Sequence, residues 1–326
     1  MKVIKNVTES AGKEWLATVG FFDGVHAGHR YLIQEMRRLA DERGLATAVF
    51  TFPVHPRIVL QSGYRPALLN SPDEKLSLLA STGVDYCVVM DFTHELAACS
   101  ASDFIGKILY EQWHVRCLLT GHDNRFGYNR SDGFEQYREY GKSCGLEIIR
   151  ASSYNLDEKA VSSSQIRHLL SECRVEEATA LLTYPYRLKG HVVGGHRVGR
   201  TLGFPTANLE IDEPLKVWPG MGVYAVWAYV GGVRYKGMLT IGNRPTLDGE
   251  HVTIEVHLLN FSETIYEQSM EVEFMHYLRE NIRFDCPDEL KNQLNKDRQQ
   301  VEEILNEPCV TTVTRITNPR EQVFEQ

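Results

Sequence analysis

The first half of the chain alternates strand-like apolar runs with helical patterns, and this alternation constrains the fold more than any other feature. The strand-like runs occupy Trp15–Phe22, Leu45–Phe52, Val84–Met90, Val115–Thr120 and Leu146–Ala151. Helical patterns lie between them. Strands that alternate with helices form a parallel sheet covered by helices on both faces. We therefore predict a doubly wound α/β domain, whose ligands bind at the carboxyl ends of the strands.

The predicted helices carry start and stop signals. The first helix presents one apolar face, made by Leu32, Met36, Leu39 and Ala40. Gly44 follows this face and is typical of a helix end. Another helix begins at Ser71-Pro72, which are a favourable cap and first helical position, and extends to about Ser81.

The pattern changes near residue 185, where glycine becomes frequent and strands follow one another without long helices. The clearest strands are Val223–Val230, Tyr235–Ile241, Val252–Leu259 and Gln268–Phe274. Gly231-Gly232 separates two of them, as a hairpin turn would. An amphipathic helix follows from about Pro287 to Leu305. We predict a C-terminal antiparallel β-barrel with a terminal helix, and domains 1–184 and 185–308 followed by a tail, 309–326.

Composition excludes several classes of protein. The 326 residues carry 35 basic and 43 acidic side chains, and the net charge of −8 disfavours nucleic-acid partners. No apolar run approaches the roughly 20 residues of a membrane span, and Met1–Ser10 lacks the apolar segment of a signal peptide. Seven cysteines without a Cys-x-x-Cys pair favour a reducing compartment. We expect a cytoplasmic protein without a membrane partner, and composition leaves the oligomeric state open.

The strongest local signal in the first half is Gly20–His29, which reads GFFDGVHAGH after the first strand. It places His26 and His29 at the entry to a helix, where free amides and the helix dipole bind phosphate. We predict that these histidines act in catalysis. Nucleotide contacts are predicted for Gly20, Phe21, Asp23, Gly24 and Gly28. Two alternatives remain, namely a pair of surface histidines and a metal site without an obvious third and fourth ligand.

A second candidate phosphate site lies at residues 161–167, which read VSSSQIR. Hydroxyl groups at a helix start, together with one arginine, are suited to a phosphate. We predict Ser163, Ser164 and Arg167 as nucleotide-binding residues. The alternative is an ordinary serine cap of a helix.

The segment Gly190–Asn208 reads GHVVGGHRVGRTLGFPTAN and is rich in glycine. Part of it, Gly194–Thr201, nearly matches a P-loop, but a P-loop must open a helix and Pro205 prevents this. We predict a flap over phosphates instead. Nucleotide contacts are predicted for Gly190, Gly199, Arg200, Gly203, Thr206 and Asn208. The Thr206 hydroxyl and the Asn208 amide are hard oxygen donors suited to Mg²⁺, whereas the alternative is a plain loop and turn.

Residues 252–258 read VTIEVHL and alternate between apolar and polar side chains. The alternation predicts that Val252, Ile254, Val256 and Leu258 share one side of a strand. Glu255 and His257 then share the other side. A carboxylate on a rigid strand is a good general base for a hydroxyl that attacks phosphorus. The alternative is a solvent-facing glutamate on a half-buried strand.

The first half resembles the His-x-Gly-His nucleotidyltransferase superfamily through residues 26–29. Residues 51–56 (TFPVHP) and 121–130 (GHDNRFGYNR) resemble the FMN adenylyltransferase module of prokaryotic bifunctional riboflavin kinase/FAD synthetases. The resemblance implies in-line nucleotidyl transfer without a covalent enzyme intermediate, and it places Asp123 near the nucleotide. It also implies flavin contacts from Phe52, His55, Pro56, Arg57, Arg125 and Phe126.

Two positions depart from the pattern of that family. Asn124 stands where the family frequently has Phe, and Ser164 stands where it frequently has Thr. The serine keeps the hydroxyl group. The Lys-Met-Ser-Lys-Ser element that class I aminoacyl-tRNA synthetases of the superfamily usually carry is not found.

The second half resembles riboflavin kinases over the whole of Gly190–Asn208. In that family the threonine and asparagine that correspond to Thr206 and Asn208 bind Mg²⁺ and ATP phosphate. Glu255 corresponds to the catalytic base. Ile241–Thr246 also matches, as a loop near the nucleotide, and Leu278–Phe284 matches the flavin-side segment. The resemblance implies a flavin contact for Arg279, whose alternative is a surface charge.

Together the resemblances imply a bifunctional enzyme of flavin-cofactor synthesis. The C-terminal domain would phosphorylate riboflavin with ATP and Mg²⁺ to give FMN. The N-terminal domain would join FMN to AMP from a second ATP, giving FAD and pyrophosphate. Three alternatives are a monofunctional enzyme with one decayed half, a tRNA-linked adenylating enzyme and a non-catalytic flavin carrier. The presence of both motif sets and the acidic charge disfavour the first two.

Overall fold

The computed structural model describes residues 1–10, 12–121, 125–128, 131–152, 154–156, 159–194, 199, 202–246 and 249–306. These residues form two units. Unit 1 comprises Met1–Gly190 together with Ile211–Gly220, and unit 2 comprises His191–Glu210 and the chain from Met221 onward. The predicted site residues Asp123 and Arg200 and the predicted tail, 309–326, lie outside the described residues.

Unit 1 is built on a six-stranded sheet whose neighbouring strands all run parallel. Its strands are β1 (Lys2–Ile4), β2 (Trp15–Val19), β3 (Ala46–Thr51), β4 (Tyr86–Val89), β5 (Val115–Thr120) and β6 (Glu147–Arg150). The spatial order is β1-β4-β3-β2-β5-β6, so the chain reverses its direction of travel between β2 and β5. Ligands of such sheets bind at this switch point. The predicted doubly wound sheet is confirmed.

The sheet is buried on both faces, which explains the continuous apolar runs in the sequence. Trp15, Ala17 and Phe50 belong to one apolar cluster, and Leu16 and Val49 belong to a second cluster. The edge strand β1 was not predicted, because three residues carry too little periodicity to be recognised.

The helices of unit 1 are α1 (Ala27–Arg43), α2 (Pro56–Leu60), α3 (Pro72–Ala80), α4 (His94–Ala98), α5 (Ala101–Asp103), α6 (Phe134–Cys144), α7 (Ser163–Ser171) and α8 (Val175–Leu182). The predicted helices α1 and α3 are confirmed, whereas α2 and α4, of five residues each, were not predicted. A 3-10 helix occupies Val7–Ser10, and a π-helix, Phe104–Gln112, continues α5. A capping box between Ser71 and Glu74 starts α3, as the sequence indicated.

Between β6 and α7 lies a short hairpin that the sequence did not predict. Its strands β7 (Asn155–Leu156) and β8 (Lys159–Ala160) are antiparallel. Two residues per strand are too few to produce a visible alternation. The hairpin leads into α7, whose first turn contains the second candidate phosphate site.

Unit 2 is built on the strands β9 (Tyr186–Val193), β10 (Ala207–Ile211), β11 (Gly222–Val230), β12 (Val233–Thr246), β13 (Gly249–Leu258) and β14 (Ser269–Arg279), of which β9 begins before the unit boundary at Gly190. They form a closed antiparallel barrel with the order β10-β13-β12-β11-β14-β9. The predicted barrel, including the hairpin at Gly231-Gly232, is confirmed. Strands β9 and β10 were not predicted, because both overlap the glycine-rich stretch Gly190–Asn208, for which we predicted a flap.

The terminal helix α9 (Pro287–Ile304) packs on the outside of this barrel. Val301 and Leu305 are buried with Ala225 of β11 and Met238 of β12 in one apolar cluster. The predicted terminal helix is therefore confirmed. Among the described residues, no helix is both long enough and apolar enough to cross a membrane.

Unit 1 also includes Ile211–Gly220, a segment that follows β10 in the chain. The amide of Leu68 donates to the carbonyl of Leu215 over 2.7 Å, and the amide of Val217 donates back to the carbonyl of Leu68 over 2.8 Å. Lys216, with 2% of its side chain exposed, forms an ion pair with Glu74. Unit 1 thus takes part of its core from beyond residue 190.

Candidate active sites

The loop after β2 has a strained backbone. Phe22, Gly24 and Val25 have φ angles of 56°, 83° and 36°. Residues other than glycine rarely adopt positive φ angles, and surrounding contacts must offset the free-energy cost of this backbone conformation. Two hydroxyls supply such contacts: Tyr184 donates to the carbonyl of Gly24 over 2.6 Å and Ser163 donates to that of Asp23 over 2.9 Å. Strain of this kind is typical of functional sites and has no mark in the sequence.

The two predicted catalytic histidines lie directly after this loop. The rings of His26 and His29 stack with their centroids 3.7 Å apart and an interplanar angle of 18°. His26 caps α1, and His29 lies in its first turn. A Cβ on Gly28 would lie 3.3 Å from two atoms of the His26 ring. Gly28 therefore leaves room for the stacked pair, in addition to any approach by a ligand.

One ring nitrogen of His29 is available to bind a ligand. Burial and the neighbouring His26 lower the pKa of His29 well below its usual value, so that the ring is neutral at pH 7. Within the described residues, the Nδ1 atom of His29 is buried and has no hydrogen-bond partner. A neutral imidazole can still donate one N–H bond to a phosphate oxygen.

The second candidate phosphate site contacts the same loop. Arg167 of α7 forms an ion pair with Asp23, whose Oδ1 also accepts the amide of Leu69 over 2.9 Å. Burial raises the pKa of Asp23, and the charge of Arg167 opposes this shift. Ser164 is exposed in the first turn of α7, whereas Ser162 caps the helix. Arg167 and Ser163 thus support the loop, and Ser164 remains accessible to a ligand.

A cavity of about 450 Å³ opens beside this loop at the carboxyl ends of β2 and β3. Its volume lies in the usual range of small-molecule sites, which is about 300–1,000 Å³. The predicted flavin-binding residues that line it are Phe52, His55, Pro56, Arg57, Arg125 and Phe126. The predicted nucleotide-binding residues Gly20 and Phe21 line it as well.

The aromatic wall of this cavity includes residues that sequence reasoning missed. Phe126 stacks on Tyr137 with ring centroids 4.2 Å apart. The Tyr137 hydroxyl donates to the carbonyl of Phe126 and accepts its amide, each over 3.0 Å. Phe92 contacts Phe52 edge to face, and Phe104 tilts against Phe126. Aromatic side chains are common in many cores, so the sequence offered no sign that these ones form a wall.

In unit 2, the barrel brings together three predicted residues of the second site. Asn208 of β10 lies directly opposite Glu255 of β13, and Thr240 of β12 lies opposite Glu255 on its other side. The Thr206 hydroxyl donates to the Glu255 carboxylate over 3.0 Å. Ile254 and Val256 point into the barrel, and Glu255 is half-buried on its outer face. Val252, which was predicted to share the side of Ile254 and Val256, is 40% exposed.

His257 supports the turn that carries Thr206, a role that the sequence did not reveal. Its Nδ1 lies 2.8 Å from the carbonyl oxygen of Pro205, and its ring meets Phe204 edge to face. Burial lowers the pKa of His257. Gly199 packs against the same turn, where a Cβ would lie 2.3 Å from the carbonyl oxygen of Phe204.

A second cavity, of about 290 Å³, lies beside this turn. Pro205 and Thr206 line it, together with Val256 and the segment 261–266 between β13 and β14. Thr206 therefore contacts Glu255 with its hydroxyl and also borders the cavity. This arrangement suits a nucleotide whose phosphates approach Thr206.

Three other predicted residues lie apart from this cavity. Gly190 is a buried residue within β9, and Gly203 lies in the turn before Phe204 with a φ of 84°. Arg279 lies at the end of β14 in unit 2 and donates to Asp297 of α9 over 2.7 and 3.0 Å. The Arg279 guanidinium is thus engaged with a buried carboxylate, and its contact with flavin stays a prediction.

Comparisons with known proteins agree with this division. Residues 8–165 match the family model described as FAD synthetase, and residues 182–305 match the model described as riboflavin kinase. A relative from Haemophilus influenzae, described as a bifunctional riboflavin kinase/FMN adenylyltransferase, is 37% identical over 89% of this chain and 94% of its own length. The chain belongs to the bifunctional riboflavin kinase/FMN adenylyltransferase family.

Two further comparisons also cover most of the chain. The relative from Escherichia coli K12, with the same description, is 34% identical over 94% of this chain and 98% of its own length. A crystal structure described as a macrolide-efflux protein from Streptococcus pneumoniae superimposes with a TM-score of 0.83 and 29% identity, covering 92% of this chain and 98% of that one. That description concerns the other protein, and the similarity concerns sequence and fold.

Proposed function

We propose that the two activities of this riboflavin kinase/FMN adenylyltransferase are divided between its units, with the residues described above as the two active sites. Unit 2 phosphorylates riboflavin with ATP to give FMN and ADP. Unit 1 joins FMN to the AMP part of a second ATP and releases pyrophosphate. The observation that carries this proposal is that each unit holds its own motifs beside a cavity. Gly20, Phe21 and Phe52 line the cavity of unit 1, and Thr206 lines the cavity of unit 2.

In the kinase step, Glu255 accepts the proton of the ribityl 5′-hydroxyl while the hydroxyl oxygen attacks the γ-phosphorus of ATP. The hydrogen bond from Thr206 orients the Glu255 carboxylate, and the rigid strand β13 holds it in place. ATP occupies the neighbouring cavity, with its phosphates toward Thr206. Positioning and electrostatics supply most of the rate in such phosphoryl transfers.

The same residues fit a Mg²⁺ ion that arrives with ATP. The donors available are the hydroxyl of Thr206 and the amide oxygen of Asn208, both hard oxygen ligands. Within the described residues, no group of three or more His, Cys, Asp or Glu side chains could hold a metal on its own. Mg²⁺ commonly uses few protein ligands and shares the substrate phosphates, where it neutralises charge.

In the adenylyltransferase step, a phosphate oxygen of FMN attacks the α-phosphorus of ATP, and the bond to the β-phosphate breaks. His26, His29 and the first turn of α1 donate hydrogen bonds to the phosphates. Ser164, exposed at the start of α7, is an additional donor. The aromatic cavity holds the flavin, so that the reaction becomes intramolecular in effect.

Two variants of the full chain test this division, with rates of both steps followed by chromatographic separation of the flavins. Glu255→Gln removes the base and should abolish FMN formation while FMN is still converted to FAD. His29→Ala should do the reverse. Matched controls are Glu210→Gln, exposed on β10, and His168→Ala, exposed on α7, and both should keep both activities. Loss of both activities in either test variant, while the chain stays folded, would contradict the two-site proposal.

A chain that binds flavin but never converts riboflavin or FMN would instead be the non-catalytic carrier.

We also assign the reaction to the cytoplasm, which supplies ATP and keeps thiols reduced. Support comes from the free thiols of Cys87, Cys99, Cys117, Cys144 and Cys286. The net charge of −8 supports small-molecule substrates over nucleic acid.

A further inference from the structure

Lys75 is a buried lysine that none of the steps above uses. It lies in α3 and is 4% exposed, although lysines are almost never fully buried unless paired. Its ammonium group donates to the carbonyl oxygen of Phe52 over 2.7 Å and to that of Phe21 over 3.2 Å. It also lies 4.0 Å from the centroid of the Phe21 ring, where a cation interacts favourably with the aromatic face.

The two acceptors belong to different segments of the same site. Phe21 lies in the strained loop after β2 that leads to His26, and Phe52 follows β3. Both residues line the aromatic cavity. The Thr51 hydroxyl donates to the carbonyl of Phe21 over 3.1 Å and adds a second bond between the same segments. A single side chain from α3 therefore joins the phosphate side of the site to the flavin side.

We propose that Lys75 is a positioning residue for FMN, which ties the carbonyl groups of Phe21 and Phe52 together and so sets the shape of the flavin cavity. This role rests on the assignment of FMN to that cavity. Lys75 touches neither substrate. It acts through the two phenylalanines, whose side chains form part of the cavity wall.

A purely structural role explains Lys75 poorly. Burying an ammonium group costs free energy, and an apolar residue of similar length would fill the same space without that cost. Burial lowers the pKa of Lys75 to about 8, while the nearby Asp23 opposes the shift. Costly buried charges of this kind cluster at functional sites. What the ammonium supplies, and an apolar chain does not, is two directed hydrogen bonds.

The test uses steady-state kinetics of the full chain, with the kinase reaction as an internal control. Lys75→Met keeps the length of the side chain and removes both bonds. We expect the KM for FMN in FAD formation to rise about tenfold or more, because small displacements of a binding site are costly. We expect kcat for FAD formation, the KM for ATP and the kinase reaction to stay within about threefold. Lys142→Met, at an exposed lysine of α6, is the matched control and should change nothing.

An unchanged KM for FMN in Lys75→Met, or a fall in kcat alone, would overturn the proposal. If Lys75→Met fails to fold and loses the kinase reaction too, Thr51→Val decides, because it removes only the second bond to Phe21. The KM for FMN should then rise severalfold, and an unchanged value would overturn the proposal. If the wild-type chain made no FAD, the proposed function itself would be refuted. If the wild type made FAD and Lys75→Met had the same KM for FMN, only the role of Lys75 would be refuted.

Discussion

Several side chains around the loop after β2 have pKa values displaced by burial. The pKa of His29 is lowered, that of Asp23 is raised and that of Lys75 is lowered to about 8. Each displacement means that folding disfavours the charged form of the group. The stability of unit 1 is therefore coupled to pH through these three side chains.

For Lys75, the lowered pKa means that the free energy of unfolding should rise as the pH rises. Its pKa is about 8 in the folded chain and 10.5 in the unfolded chain, so only the unfolded chain keeps the proton between these values. The cost of burial is fully present below pH 8 and is relieved as the pH rises to 10.5. From pH 7 to pH 10.5, the wild type should gain up to about 3 kcal/mol relative to Lys75→Met.

Urea unfolding of the two proteins at several pH values measures this gain. Lys142→Met serves as the control, because its side chain is exposed, and its stability should run parallel to that of the wild type throughout. If Lys75→Met also ran parallel to the wild type, the displaced pKa of Lys75 would be refuted.

At the scale of elements, the turn before β10 places the Thr206 hydroxyl against the Glu255 carboxylate. The amide of Phe204 donates to the carbonyl of Gly199 over 2.9 Å, and a Cβ on Gly199 would lie 2.3 Å from the Phe204 carbonyl oxygen. Gly199→Ala should therefore displace the turn that carries Thr206 and lower kcat/KM for riboflavin about tenfold or more. FAD formation from FMN should not change.

Gly194→Ala is the matched control for this prediction, because nothing lies within 4 Å of the Cβ that it adds. Both variants are compared by riboflavin phosphorylation under the same conditions. Equal kinase rates in Gly199→Ala and Gly194→Ala would show that the close approach to Phe204 does not govern the site.

The segment Ile211–Gly220 is a second element whose role is testable. Lys216 is almost fully buried and pairs with Glu74, which also caps α3 through the amide of Ser71. Removing one partner of a buried pair leaves the other charge uncompensated, at a cost of about 3–5 kcal/mol when both are fully buried. Because Glu74 is partly exposed, Lys216→Met should lower the free energy of unfolding of unit 1 by about 2 kcal/mol.

Thermal or urea unfolding of the full chain measures this loss. The surface pair of Lys142 and Glu139 provides the comparison, and Lys142→Met should stay within about 0.5 kcal/mol of the wild type. A Lys216→Met protein as stable as the control would mean that the segment contributes no net electrostatic stability to unit 1.

At the scale of the whole molecule, the two reactions share FMN as product and substrate. Riboflavin, ATP and Mg²⁺ should yield FMN first and FAD later. A mixture of the Glu255→Gln and His29→Ala proteins should restore FAD synthesis from riboflavin, because FMN made by one protein is free to reach the other. Chromatography of the flavins over time follows both. If each variant kept its own reaction but the mixture made no FAD, FMN would have to pass within a single molecule.

The architecture of both halves was predictable because it depends on patterns of apolar and polar residues within short segments. Apolar runs between helical segments determine a parallel sheet, and the consecutive strands with a hairpin at Gly231-Gly232 determine an antiparallel one. The motifs at 20–29 and 190–208 were visible for a similar reason, since each is one continuous stretch. Elements that are very short or lie within glycine-rich sequence, such as β1 and β10, lacked such a pattern.

Tertiary structure alone decided which side chains meet. Arg167 reaches Asp23 across 144 positions, Tyr184 reaches Gly24 across 160 and Lys75 joins segments on either side of β3. Such contacts depend on how strands and helices pack, and neither partner carries a local signal of the other. The sequence by itself therefore determined the two folds and the chemistry of their motifs. Packing determined that Arg167 pairs with Asp23 in the loop after β2 and that Lys75 bonds to the carbonyl groups of Phe21 and Phe52.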